Sequence, residues 1–238
     1  MWIKLGIAVY IIGVLSSITL CLIGVLGGFF RYLSPDIAFH LYLGGMVLGV
    51  LFVLVGLVDT LKNGSSPRTI LLLLALIPCS NFVYLLIEGY KYPMINDIST
   101  DLEHPPSFVA TMKLLDNEGQ SFTFPLEFKK EIELFYPDLE VMVFPQISVD
   151  DAHIKAVEIV NGLSNWEITA NQIGGQETII EGTVTSGVFG FVDDFVIRIR
   201  KPKSSPSAVV DMRSRSRMGK GDFGQNAEHI REFKSLMH

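Results

Sequence analysis

The chain has 238 residues, 49% of them hydrophobic, and a formal net charge of −6. That length allows one or two domains, and that apolar share is high for a wholly water-soluble protein. An acidic chain without a basic tail lacks the broad positive footprint that nucleic acid demands, so no nucleic-acid partner is expected.

The apolar excess sits at one end. Residues 1–96 carry five basic and three acidic side chains, +2, which leaves −8 for the remainder. Residues 1–95 therefore read as a transmembrane region and 96–238 as a polar domain. Three apolar runs, about 5–30, 37–60 and 69–90, each reach the roughly 20 residues that cross a bilayer core. The first is about twice as long as a signal-peptide core and lacks a small-x-small cleavage site, so it is expected to stay attached. Cys21 and Cys79 both lie inside these runs, and no disulfide is expected.

Lys4, Lys62 and Arg68 fall on one side of the spans, Arg31 and Lys91 on the other. With the terminal amine added, this bias favours a cytoplasmic N-terminus. The expected setting is a multi-pass protein of a bacterial inner membrane with its C-terminal domain in the periplasm. Membrane lipids are then partners. Gly24 with Gly28, and Gly45 with Gly49, have GxxxG-like spacings that let helices approach closely, within the chain or against a protein partner. Pro78, Ser80 and Asn81 lie mid-span, where polar groups need an internal partner such as an interhelical hydrogen bond.

Residues 96–108 read NDISTDLEHPPSF, a linker or extended arm, since its Pro-Pro pair forbids helix. Asp97, Asp101, Glu103 and His104 fit no metal-ligand spacing, and no metal or cofactor is expected. Residues 120–147 mix short strand-like runs. Ser148 and Asp151 then cap a helix that places Ile154, Val157 and Leu163 at helical spacing, with Gly162 near its stop. His153 falls in its first turn, where an exposed or capping role is expected.

Alternation of apolar and polar residues over 166–170, 176–185 and 195–200 predicts strands. The short turns between them leave no room for crossover helices, so the sheet should be antiparallel. A last helix over 223–237 starts at a capping box formed by Asp222 and Gln225. The expected fold class is α+β: three N-terminal transmembrane helices, then a domain with an antiparallel β-sheet and two or more packing helices.

The chemistry concentrates between Asp193 and Asn226. Alternate strand residues share a face, so Arg198 and Arg200 point one way while Phe195, Ile197 and Ile199 point the other. Arg213, Arg215 and Arg217 repeat the pattern together with Asp211. A hairpin through Pro202–Pro206 would place all five arginines on one surface. Neighbouring arginines about 7 Å apart repel by about 2 kcal/mol at an intermediate dielectric, so counter-charge is needed. Glu177, Glu181, Asp193, Asp194, Asp211 and Asp222 can supply it. The expected outcome is a structural ladder of cross-strand ion pairs. The alternative is an anion-binding face for phosphate, carboxylate or an acidic glycan, built from Arg198, Arg200, Arg213, Arg215, Arg217 and Lys220.

Residues 219–224, Gly-Lys-Gly-Asp-Phe-Gly, match G-x-G-x-x-G between a strand and a helix. No second parallel strand can follow, and Asp222 would set a carboxylate beside any phosphate, so a tight strand-to-helix turn is the better reading. A simple anion at the helix N-terminus, helped by Lys220 and Arg217, stays open. No catalytic motif is present, and the polar domain has no cysteine nucleophile.

The segments DISTDLEHPPSF, Tyr136-Pro137-Asp138, residues 190–200 (GFVDDFVIRIR) and residues 210–226 (VDMRSRSRMGKGDFGQN) together resemble the bacterial DUF1499 family over about 97–236. The resemblance implies a domain that often follows a few membrane helices, and it carries no catalytic residue. On these readings the chain is a membrane-anchored envelope protein whose outer domain binds a partner or an anionic component, a lipid headgroup or glycan. The alternative is a membrane-bound hydrolase or transferase acting on an envelope lipid or glycan.

Overall fold

The computed structural model of the chain describes residues 2–64, 67–114, 117–174, 177–202 and 208–237. Two compact units form, Met1–Lys91 with Gly187–Gly190, and Tyr92–Ser186 with Phe191–His238.

The first unit is built on helices α1 (Trp2–Phe29), α2 (Pro35–Asn63) and α3 (Pro67–Gly89). Each contains a stretch long and apolar enough to cross a membrane, namely Ile7–Phe29, Pro35–Lys62 and Thr69–Gly89. Small residues set their close approach. A Cβ on Gly24 would stand 2.5 Å from the Ala38 carbonyl oxygen, and one on Gly45 would stand 2.6 Å from the Cys21 sulfur. Gly49 meets Pro78 of α3 in the same way. These glycines therefore serve contacts inside the chain. Ser17 Oγ donates to the Gly45 carbonyl at 2.7 Å, and Tyr42 donates from its hydroxyl to Asn81 Oδ1 at 3.2 Å. The second bond is the interhelical partner that Asn81 needs in hydrocarbon.

The second unit is α+β. Its strands are β1 (Asp97–Ser99), β2 (Met142–Phe144), β3 (Trp166–Ile173), β4 (Glu177–Thr185), β5 (Val192–Arg200) and β6 (Ala208–Ser216). They form one antiparallel sheet in the order β1-β6-β5-β4-β3, with β2 also paired to β6. Helices α4 (Lys129–Phe135), α5 (Val149–Gly162) and α6 (Gln225–Met237) complete it. The segment expected to be a linker or extended arm is in part a sheet strand, because Asp97–Ser99 pairs with Arg213–Arg215 at the edge of β6. The turn assigned to Pro202–Pro206 falls mostly outside the described residues, but the β5–β6 register on either side is that of a hairpin.

Ser148 caps α5 by accepting the Asp151 N–H at 3.0 Å. Helix α6 starts at Gln225, two residues later than its pattern suggests, because Phe223 and Gly224 both have positive φ. The apolar faces of α5 (Ala152, Ala156, Val160) and α6 (Ala227, Ile230, Phe233, Met237) share a core with Phe195, Ile197, Ile199, Val210 and Met212. Each large side chain in that core contributes about 1.5–3 kcal/mol of burial free energy. The arginines occupy the opposite face of the sheet.

Gly182 of β4 lies where a Cβ would stand 2.2 Å from the Glu167 carbonyl oxygen and 2.4 Å from the Phe195 ring. It faces the bulge in β3 between Ile168 and Ala170. Backbone cannot retreat as a flexible side chain can, so Gly182→Ala is expected to lower stability by about 3 kcal/mol or more. Guanidinium unfolding of the detergent-solubilised chain, followed by Trp166 fluorescence, measures this.

Candidate functional site: a neutralised arginine face

The β5–β6 register sets Arg198 opposite Asp211 and Arg215 opposite Asp194. All five arginines share one surface, as their spacing predicts. Asp211, wholly buried, accepts from Arg198 Nη2 at 2.8 Å and from Arg200 Nε at 2.9 Å. Asp101 closes the group, 3.0 Å from Arg198 and 3.3 Å from Arg200. Asp211, chiefly through its hydrogen bond, pushes the Arg200 pKa above its usual value, with smaller help from Asp101 and Glu177.

Arg213 is only 2% exposed and forms a two-pronged pair with Asp97, Nε to Oδ1 at 2.8 Å and Nη2 to Oδ2 at 2.7 Å. Its remaining donors reach the carbonyls of Pro106 and Phe122, and its plane lies near the rings of Phe108 and Phe124. Burial raises the Asp97 pKa, and the Arg213 hydrogen bond works against that rise. Arg217 donates from Nε and Nη2 to Asp194 Oδ1 at 2.9 and 2.8 Å. Arg215 Nη1 stands 3.9 Å from Asp194 Oδ2, beyond hydrogen-bond length, while its Nη2 donates to Gln120 and its plane stacks 4.2 Å from the Phe122 ring. Burial lowers the Arg215 pKa.

The other expected counter-charges make no ion pair with the five arginines among the described residues. Glu181, fully buried, accepts the backbone N–H groups of Val109, Ala110 and Thr111 at 2.8–3.1 Å and so pins the 108–111 segment over the arginine face. Glu177 stands opposite Arg200 at the end of β4. Asp193 and Asp222 serve the core-facing side. Their places on the arginine face are taken by Asp97 and Asp101, from the segment expected to be a linker or extended arm.

Lys220 is exposed and makes no ion pair among the described residues. The turn it belongs to uses its glycines as backbone devices: Gly219 and Gly224 have φ of 87° and 79°. The donors at the start of α6 are occupied, since Asp222 accepts the N–H groups of Gly224 at 2.8 Å and Asn226 at 3.0 Å. An added anion there would face a carboxylate.

On the core side, Asp193, Ser214, Ser216, Asn226 and His229 are buried together. Ser214 donates to Asn226 Oδ1 at 2.6 Å, and Asn226 Nδ2 donates to Ser216 Oγ at 2.9 Å. Ser214 Oγ and Asp193 Oδ2 both approach the same nitrogen of His229, Nδ1, at 3.4 and 3.7 Å. A hydrolytic triad uses opposite ring nitrogens for its serine and its carboxylate, and it needs an accessible serine. This cluster meets neither condition. Burial lifts Asp193 to about 7 and drops His229 to about 4.

An open groove of about 570 Å³ is lined by Thr100, Asp101, Glu103, Ile132, Glu133, Tyr136, Leu139 and Glu140 among others. Asp101 is committed to arginines, and Glu103 holds Lys129 at 3.0 Å. Glu133 and Glu140 make no ion pair among the described residues. Within those residues, no three His, Cys, Asp or Glu side chains gather as a metal site.

Two measurements check these assignments. Arg213→Met strands the Asp97 carboxylate in the interior and is expected to cost about 3–5 kcal/mol, whereas Arg213→Met with Asp97→Leu should recover most of that loss in the same unfolding assay. For the core pair, Asp193 binds its proton more tightly folded than unfolded, so its contribution is lost as pH rises from about 4 to about 7. His229 binds its proton less tightly folded, so its contribution is lost as pH falls from about 6.5 to about 4. The two slopes offset each other across that range. His229→Gln should therefore leave stability falling with pH between about 4 and 7, and Asp193→Asn should leave it rising between about 4 and 6.5, each by roughly 1.4 kcal/mol per pH unit.

No curated protein and no solved structure matches this chain. A family model described as a protein of unknown function, DUF1499, matches residues 97–237. That span holds every strand and the arginine face with its four aspartates, and the chain belongs to the DUF1499 family.

Proposed function

We propose that this chain is a membrane-anchored binding protein without catalytic activity, set in a bacterial inner membrane with its folded domain, residues 96–238, on the periplasmic side. The observation that carries this reading is the internal neutralisation of the arginine face. Each of the five arginines stands within 4 Å of a carboxylate from the same domain. Charges matched in this way leave little field for an outside anion. The buried serine, histidine and aspartate of the core offer no substrate-facing nucleophile or base.

A partner is then met by the outer surface of the domain. The groove beside α4 has the concavity and mixed lining of a binding site, with apolar walls at Ile132 and Leu139 and carboxylates at Glu133 and Glu140. It favours a partner that presents basic groups, in place of the anionic lipid headgroup or glycan that an open arginine face would have taken.

Crosslinking in native membranes, followed by co-purification and lipid analysis of the full chain, tests the reading. A protein should be retained by the parent and by Arg198→Gln, and lost from the double variant Glu133→Lys with Glu140→Lys. Recovery of an anionic lipid or glycan that disappears with Arg198→Gln would transfer the function to the arginine face.

A further inference from the structure

The turn at 218–224 displays apolar side chains that the fold itself does not use. Phe223 is 50% exposed although it sits in the left-handed backbone region, φ 55°, where a bulky residue is seldom found. Met218 is 42% exposed and Met94 is 77% exposed. Met94 belongs to this turn in space, since a Cβ on Gly221 would stand 2.8 Å from its sulfur. Lys220 projects from the same turn and makes no ion pair among the described residues.

The turn is also leashed. Asn96 donates from Nδ2 to the Gly219 carbonyl at 2.6 Å, and the Asp222 N–H donates to the Ile95 carbonyl at 3.2 Å. Met94 lies five residues beyond Gly89, the end of the third apolar helix, and Asn96 lies seven beyond it. Fully extended chain covers about 3.6 Å per residue, so Met94 is held within about 18 Å of the helix end and Gly219 within roughly 25 Å plus the hydrogen bond. A bilayer adds about 5–8 Å of headgroup layer beyond each side of its hydrocarbon core. The chain cannot carry these side chains far from that layer.

We propose that Met94, Met218 and Phe223, with Lys220, form a docking surface for the interfacial layer of the bilayer that the chain's own helices cross. The occupant is the phospholipid surface. Exposed thioether and aromatic side chains suit the boundary between headgroups and acyl chains, and a lysine beside them suits anionic phospholipid. The glycines of the turn acquire a purpose: Gly219 and Gly224 shape it, Gly221 lets Met94 close over it, and Phe223 is left standing outward. The inference goes beyond the binding role above and is independent of what the acidic groove takes or which side of the membrane the domain occupies.

The test uses the full chain in lipid nanodiscs of phosphatidylglycerol and phosphatidylethanolamine with brominated acyl chains, which quench tryptophan at the interface. In a Trp2→Phe background, Trp166 remains as an internal reference in the core. Phe223→Trp should then add an emission component quenched about twofold or more by the brominated lipid. Val143→Trp, on an exposed site of β2, should add one that is not quenched. Phe223→Trp keeps the ring and backbone demands of the native residue, so folding is preserved, and the Trp166 spectrum verifies it. Equal quenching at positions 223 and 143, or none at 223, would overturn the proposal. Weaker quenching of the position-223 probe in discs of phosphatidylcholine alone would support the role of Lys220.

Discussion

The domain depends on one constraint: a β-strand that carries arginines at every second position cannot be covered unless carboxylates meet them. Two arginines on β6, Arg217 just past its end and two on β5 are brought to one face by the period of the pleat, and the antiparallel register then sets Asp211 and Asp194 among them. Two more aspartates arrive from the segment after the last apolar helix. With the charges matched, residues 108–111 and 122–124 can lie over the face, their phenylalanines against the guanidinium planes and the backbone of 109–111 held by Glu181. The sheet is thus covered on both sides by different means, helices over an apolar face and an irregular segment over an ionic one.

Such a layer is an expensive way to build a core, because a buried ion pair seldom outperforms well-packed apolar side chains. Its value lies in geometry. Arg213 makes four directed hydrogen bonds to three residues, and in the observed register Asp97, which stands opposite Arg215, reaches it on the diagonal. The opposite face shows a related device on a smaller scale. There Asp193 and His229 are both neutral over a mildly acidic range, so their contact fixes the seat of α6 without a net charge in the apolar layer.

Much of this was legible in the chain. Three spans of sufficient length, the cap at Ser148, the antiparallel strands and the shared face of five arginines all follow from local spacing. What was not legible required distant partners. Asp97 and Asp101 lie in a turn-rich stretch whose composition says linker or extended arm, and nothing local announces pairings with strand residues 116 and 97 positions away. Asp193 is a different case. It shares the parity of Phe195 and Ile197, so the pleat assigns it to the core face, while its neighbour Asp194 belongs with the arginines. The two adjacent aspartates thus belong to opposite faces of the sheet. Asp222 likewise follows its capping position and not its charge.

The bond between Asp97 and Arg213 joins positions 116 residues apart. During synthesis the acidic half of the domain emerges first, and its aspartates must wait in water until the C-terminal hairpin is made. Contacts of such long sequence separation form slowly, since loop closure precedes the reward. The waiting half is kept apart from itself by like charge, −10 over residues 97–176, and the arriving half carries +2. The arginine face is therefore also a clasp that can shut only after the last strand is made, which makes the covering of this face a late event in the folding of the domain.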